Sequence, residues 1–208
     1  MNTELIEIVS FEKLDKGKRR ILFETGERCV VYYSEIRGMH IEEGAFVPYE
    51  VYTKILKGVV GKRAKKRALH LLEQMDRTER QLREKLQQSE YPDSCIDDAI
   101  EYVKKFHYLD DERYAENFTR YKKERMSRQQ IKQKLMTKGL SQEIISNAID
   151  EEYDVDEKVH IRKILEKKQF SNENADEGEF RRIYNYLLRR GFRSSDILKE
   201  MKYTETDW

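Results

Sequence analysis

Two cysteines, two prolines and no long apolar run occur in these 208 residues, and each shortage excludes something. Cys29 and Cys95 lie far apart, outside any CxxC or Cys/His spacing. A disulfide scaffold is therefore disfavoured, and ordinary reduced thiols are expected. No stretch approaches the roughly 18 apolar residues of a membrane helix, and the opening Met1–Phe11 has no signal-peptide regions, so a cytosolic protein without membrane contact is expected. The four histidines fall in four separate segments, and no HExxH, G-x-S-x-G or P-loop pattern occurs. Neither catalysis, a metal nor a cofactor is expected. Hydrophobic residues make up 38% of the chain and charged residues 39%, which is too lean for one thick core but enough for small local cores.

What is present is a repeat. Five apolar columns recur three times, as Leu82/Ile131/Ile183, Leu86/Leu135/Leu187, Tyr91/Leu140/Phe192, Ile96/Ile145/Ile197 and Ile100/Ile149/Met201, separated by 4, 5, 5 and 4 residues in every copy. The outer pairs are one helical turn apart, so each copy offers two short amphipathic helices joined tightly. Thr78–Gln81 and Ser127–Gln130 match the S/T-x-x-E/Q capping box four residues before the first anchor; in the third copy Asn174 or Asp176 is the candidate cap of a segment through Arg190. Gly139 and Gly191 stand where positive φ lets the chain leave one helix for the next, whereas copy one has Glu90, followed by Pro92, which predicts a connection of different geometry. A further helix precedes each pair, at Arg63–Gln74, Asp111–Arg125 and Asp156–Lys168.

The first sixty residues differ. Short Ile/Val/Leu/Phe-rich runs separated by Lys16-Gly17-Lys18 and Thr25-Gly26-Glu27 indicate a small antiparallel meander, then a short helix from Pro48, with Gly58–Gly61 as linker. The predicted fold class is mainly α: three tandem three-helix repeats forming an elongated curved rod, preceded by a small β-containing segment. The expected limits are residues 1–61 for that segment and 62–109, 110–154 and 155–208 for the repeats.

The net charge of +1 averages over blocks of opposite sign. Lys62–Leu86 holds nine Lys/Arg against four Asp/Glu, Arg120–Lys138 eight against one, and Arg181–Arg193 five against none, while Glu143–Glu157 is an acidic run. Such blocks suit a nucleic acid or a charged protein. Candidate contacts are Arg120, Lys122, Lys123, Arg125, Arg128 and Lys132 in the second repeat, and Arg181, Arg182, Arg189, Arg190 and Arg193 in the third. Among the interleaved aromatics Tyr114, Phe118, Tyr121, Tyr184, Tyr186 and Phe192, helical spacing assigns most to the core, with Tyr186 the least committed to it.

The adjacent acids of Asp110-Asp111-Glu112-Arg113-Tyr114-Ala115 read as a helix N-terminal cap rather than a metal pair. With the basic helix after them and the Lys138-Gly139-Leu140 step, they resemble the pattern of the RecX regulatory proteins. The resemblance extends through Arg77–Leu86 in copy one and Leu187–Phe192 in copy three. It departs at Met126-Ser127-Arg128 and at Glu90, where relatives often carry glycine. It implies a non-enzymatic modulator that binds the RecA filament and dampens its ATPase, strand-exchange and co-protease activities, with single- or double-stranded DNA as auxiliary partner and a monomer when free. The alternative is an autonomous DNA-binding protein reading DNA through a helix-turn-helix step at Arg128–Ile149. It is disfavoured because Gln142–Asp150 is acidic and apolar where a recognition helix needs polar groups for base edges.

Overall fold

The structure is a computed structural model that describes residues 4–172 and 174–202. By internal contact it divides into two compact units, Met1–Asp110 and Asp111–Trp208.

In the first unit, strands β1 (Leu5–Lys13), β2 (Lys18–Phe23), β3 (Arg28–Tyr32) and β4 (Phe46–Pro48) form an antiparallel sheet in the order β3-β2-β1-β4. Residues two apart share a face of a strand, so pairing Ile8 with Phe23 and Ile21 with Cys29 gathers buried side chains on one side. The short helices α1 (Tyr33–Ile36) and α2 (Tyr49–Thr53) follow, then the first repeat: α3 (Lys62–Gln74), α4 (Glu79–Gln87) and α5 (Asp93–Lys105). Sheet and repeat share one core that runs from Ile6 to Leu109.

Gly58–Gly61, expected as a linker, is instead helical. A π-helical stretch, Lys54–Gly61, joins α2 to α3 without a break, burying Ile55, Leu56 and Val60. Gly61 is there for packing rather than flexibility. A Cβ on it would stand 3.2 Å from the Leu56 carbonyl oxygen, which itself accepts from Cys95 Sγ at 3.4 Å. Cys95 and Cys29 are free and buried, and burial pushes their thiols up to about 11 and about 12, so both stay protonated.

The second unit holds α6 (Asp111–Lys122), α7 (Arg128–Thr137) and α8 (Gln142–Glu152), then α9 (Glu157–Lys167), α10 (Glu177–Arg189) and α11 (Ser194–Lys202). The two triplets enclose separate cores, one around Ile131, Leu135 and Ile145, the other around Ile183, Leu187 and Ile197. Of the fifteen repeat anchors all are buried except Tyr91, which packs half-buried on the first core. Both capping boxes form: Thr78 and Ser127 each accept from the third helical N–H, at 3.3 and 3.2 Å, while Gln81 and Gln130 return a carbonyl to the cap N–H. In copy three Asp176 is the cap, accepting from the Glu179 N–H at 2.6 Å.

The three turns between second and third helices share one geometry. Gly139 (φ 89°), Gly191 (φ 79°) and Glu90 (φ 57°) all occupy the left-handed region, and the next residue donates its N–H five residues back, from Tyr91 to Leu86, Leu140 to Leu135 and Phe192 to Leu187. The different geometry expected at Glu90 is thus corrected. Copy one adopts the same turn with a side chain where the others have none. That side chain has a use: the Glu90 carboxylate accepts from Arg20 of β2 at 2.7 and 3.0 Å, tying repeat to sheet.

Leu135, fully buried at a repeat anchor, is expected to cost about 2 to 4 kcal/mol on replacement by Ala. Denaturant melts measure this, and a loss under about 0.5 kcal/mol, the range of surface substitutions, would contradict the anchor assignment.

Candidate recognition surface

The basic residues outside the cores of the second unit fall into two groups according to whether the fold already uses them. Arg120, on α6, reaches the end of α8 and donates to both Glu152 carboxylate oxygens at 2.9 and 2.5 Å. One turn later Lys123 pairs with Asp154 at 2.7 Å. Arg128, at the start of α7, donates from Nη2 to the Tyr153 carbonyl at 2.7 Å and lays its guanidinium 4.7 Å from the Tyr153 ring centre. Its backbone N–H donates to Glu157 at 2.7 Å. Tyr153, 2% exposed, closes the arrangement by donating its hydroxyl to the Met126 carbonyl at 3.0 Å.

These contacts make a clasp in which three candidate cations hold the segment leaving α8. The acids that answer them, Glu152 for Arg120, Asp154 for Lys123 and Asp150 for Arg128 at 3.8 Å, stand about twenty to thirty residues away in sequence, so no local spacing reveals the pairing; the only signal is the acidic run itself. The hydrogen bond from Arg120 holds the Glu152 carboxyl below the usual carboxylate range, and that from Lys123 does the same for Asp154.

Lys122, Arg125 and Lys132 form no ion pair among the described residues. Lys122 and Lys132 are half-buried and Arg125 is exposed. On α10, Arg181 and Arg182 make exposed pairs one turn back, with Glu177 at 3.4 Å and Glu179 at 3.2 Å, which contribute little to stability. Arg182 and Arg189 flank a shallow depression of about 590 Å³ shared with Asn185 and Leu188. Arg190 lies 4.9 Å over Tyr186, whose ring also carries Lys168 at 4.3 Å. Arg193 is exposed and without an ion pair among the described residues.

Repeats two and three meet at the turn after α10. Ser127 Oγ, while capping α7, donates to the Arg190 carbonyl at 2.5 Å. A Cβ on Gly191 would stand 2.6 Å from the Gln129 Cβ, closer than side chains approach, so this turn requires glycine twice over. The start of α7 and the end of α10 are thereby fixed against each other, which places Arg128 beside the turn that carries Arg190 and Arg193.

Most of the interleaved aromatics pack inward, as helical spacing predicts. Tyr114 and Phe118 stack 6.4 Å apart under Lys138, Tyr184 shares a 2.7 Å hydrogen bond with Ser194, and Phe192 is buried. Tyr186, expected to be the freest, is half-buried against the third core; Tyr121 is the open ring, 77% exposed.

Three like helical units, each with its own set of anchors and a differently charged outside, define a tandem helical-repeat protein with an added β-sheet. The RecX first three-helix domain matches residues 64–102 and the second three-helix domain residues 110–149. The regulatory protein RecX of Caldanaerobacter subterraneus subsp. tengcongensis is 31% identical over 195 residues, covering 92% of this chain and 96% of its own. That of Clostridium acetobutylicum is 28% identical over 203 residues, covering 94% of each. Among solved structures, a regulatory protein RecX superposes with a TM-score of 0.62 at 20% identity over 95% of this chain and 99% of its own, and RecX from Lactobacillus salivarius with 0.58 at 20% identity over 69% and 95%. The chain belongs to the RecX family of regulatory proteins.

In the second unit, Gly191→Ala is expected to destabilise the fold by at least about 1 to 2 kcal/mol, the cost of a side chain at left-handed φ, with the Gln129 contact adding to it. An unchanged denaturation midpoint would contradict the packing. For the clasp, the folded carboxyl pKa values lie below their unfolded values of about 4.3 and 3.9. Its stabilisation is therefore present above about pH 4 and lost as pH falls through the folded values. Glu152→Gln with Asp154→Asn is expected to be less stable than the parent at pH 7 and to lose less between pH 5 and 3; equal losses would contradict the pairing.

Proposed function

We propose that this chain binds the RecA filament on DNA and negatively modulates its ATPase, strand-exchange and co-protease activities, in recombination, DNA repair and the SOS response. The observation that carries the reading is family membership over nearly the full length of chain and relative, at 92% and 96%. Repeated helical units are suited to the role, because each adds a further outer face along the chain. Single- or double-stranded DNA is the auxiliary partner, reached by Lys/Arg blocks whose contribution falls with salt.

The contact residues in this reading are the eleven basic candidates of the second and third repeats, and their internal partners rank them. Arg120, Lys123 and Arg128 already serve the clasp, so charge reversal there disturbs the fold as well as any partner. Lys122, Arg125, Lys132, Arg189 and Arg193 form no ion pair among the described residues and are the informative set. The helix-turn-helix alternative gains no support, since α8 ends in Asp150, Glu151 and Glu152, and two of these face Arg128 and Arg120 within the unit.

Titration into preformed RecA filaments on single-stranded DNA, following ATP hydrolysis and filament length together, tests the proposal. Both are expected to fall, and reversing charge at Lys122, Arg125, Lys132 and Arg193 is expected to weaken the effect about tenfold or more, if each contact is worth a few tenths of a kcal/mol to 1 kcal/mol. No effect of the parent protein on either observable would refute the reading.

A further inference from the structure

The first unit carries a basic and aromatic surface that the eleven candidates do not include. Tyr32 ends β3 and Tyr33 begins α1, and although they adjoin a sheet they remain 40% and 51% exposed. Each ring has a cation over it. Lys18 Nζ lies 5.8 Å and the Arg63 guanidinium 5.0 Å from the Tyr32 ring centre, and the Arg19 guanidinium 5.0 Å from that of Tyr33. The sheet register produces this, since Lys18 pairs with Tyr32 and Arg19 with Val31. Arg63 anchors α3 to the same place by donating to the Val30 carbonyl at 3.2 Å and to Glu35 at 3.0 Å.

Arg63 thus brings the start of α3 beside the two tyrosines, and that start is basic. α3 buries Ala64, Ala68 and Leu71 and leaves Lys62, Lys66 and Arg67 exposed, with no Asp or Glu between residues 62 and 72. None of those three, nor Lys18 or Arg19, forms an ion pair among the described residues. The clasp cations have their charge answered within the fold. These do not, so their charge is available to a polyanion.

We propose that this face, Tyr32 and Tyr33 with the cations of β2 and the start of α3, is a binding site for single-stranded nucleic acid. Exposed rings distinguish it from a site for an acidic protein, which would use the cations and leave the tyrosines idle; unstacked bases use both. A duplex keeps its bases stacked and offers the rings nothing, so the single strand is the form selected. The site lies in the first unit and needs no recombinase, so its success or failure is separate from that of the RecA reading.

The test is fluorescence anisotropy of a labelled oligothymidylate with the full chain and no RecA, at several salt concentrations. Lys62→Gln, Lys66→Gln and Arg67→Gln together are expected to weaken binding about tenfold at low salt and to lower the slope of log K against log salt by about 2, at roughly 0.7 for each phosphate no longer neutralised. Tyr33→Ala is expected to weaken binding roughly fivefold to a hundredfold with the slope unchanged, and Tyr33→Trp to restore it. Photocrosslinking of the parent protein to a bromouracil-containing oligonucleotide, which needs no variant to fold, is expected to label Tyr32 or Tyr33. Unchanged affinity in both variants, adducts confined to residues beyond 110, or displacement by polyglutamate as effective as by unlabelled oligothymidylate would each overturn the proposal.

Discussion

A backbone held at positive φ, placed between the second and third helices of every unit, is the constraint on which this structure rests. It reverses the chain within a single residue, so the two apolar anchors before it and the three from the turn onward face one another and close a core with few residues. Glycine meets the requirement without steric cost at positions 139 and 191. At position 90 a glutamate accepts the strain of a left-handed side chain, about 1 to 2 kcal/mol for an ordinary residue, and its carboxylate ties the turn to Arg20 in the sheet. At position 191 the same lack of a Cβ lets repeat three close on Gln129 of repeat two.

With the interiors alike, what distinguishes the repeats lies outside them. The most basic stretch of the chain is divided by the fold. Part is consumed in holding α6, α7 and the end of α8 together, through Arg120, Lys123 and Arg128, and part is left without an answering charge among the described residues, at Lys122, Arg125 and Lys132. Charge counting cannot make that division, because a cation paired within the fold and one waiting for a partner contribute equally to a local sum.

Much of this was legible in the sequence, for definite physical reasons. Anchors at helical spacing, capping boxes one turn ahead of them and glycines at the turns are local features, and local features specify helices and their ends. The meander was legible from β-rich runs between glycine turns. Three readings failed where the cause is non-local. Gly58 and Gly61 look like a linker until Cys95 is seen packing on the helix they belong to. Glu90 looks like a break in the pattern until Arg20, seventy residues earlier, is seen beside it. Tyr186 looks free until Lys168, eighteen residues earlier, is found over its ring and the third core against its side. The surface at Tyr32 and Tyr33 was illegible for the same reason: the register of β2 against β3 and the reach of Arg63 assemble it from three separate segments.

The central claim is that like cores support unlike faces and that the faces do the recognising. Hydrogen exchange of the full chain, free and added to RecA filaments on single-stranded DNA, addresses it directly. Amides of the anchor-bearing helix interiors are expected to exchange slowly in both states, while new protection appears in peptides carrying the unanswered cations, at the end of α6, along α7 and at the turn after α10. Protection that leaves these peptides unchanged would contradict the account, as would binding that melts the anchor helices.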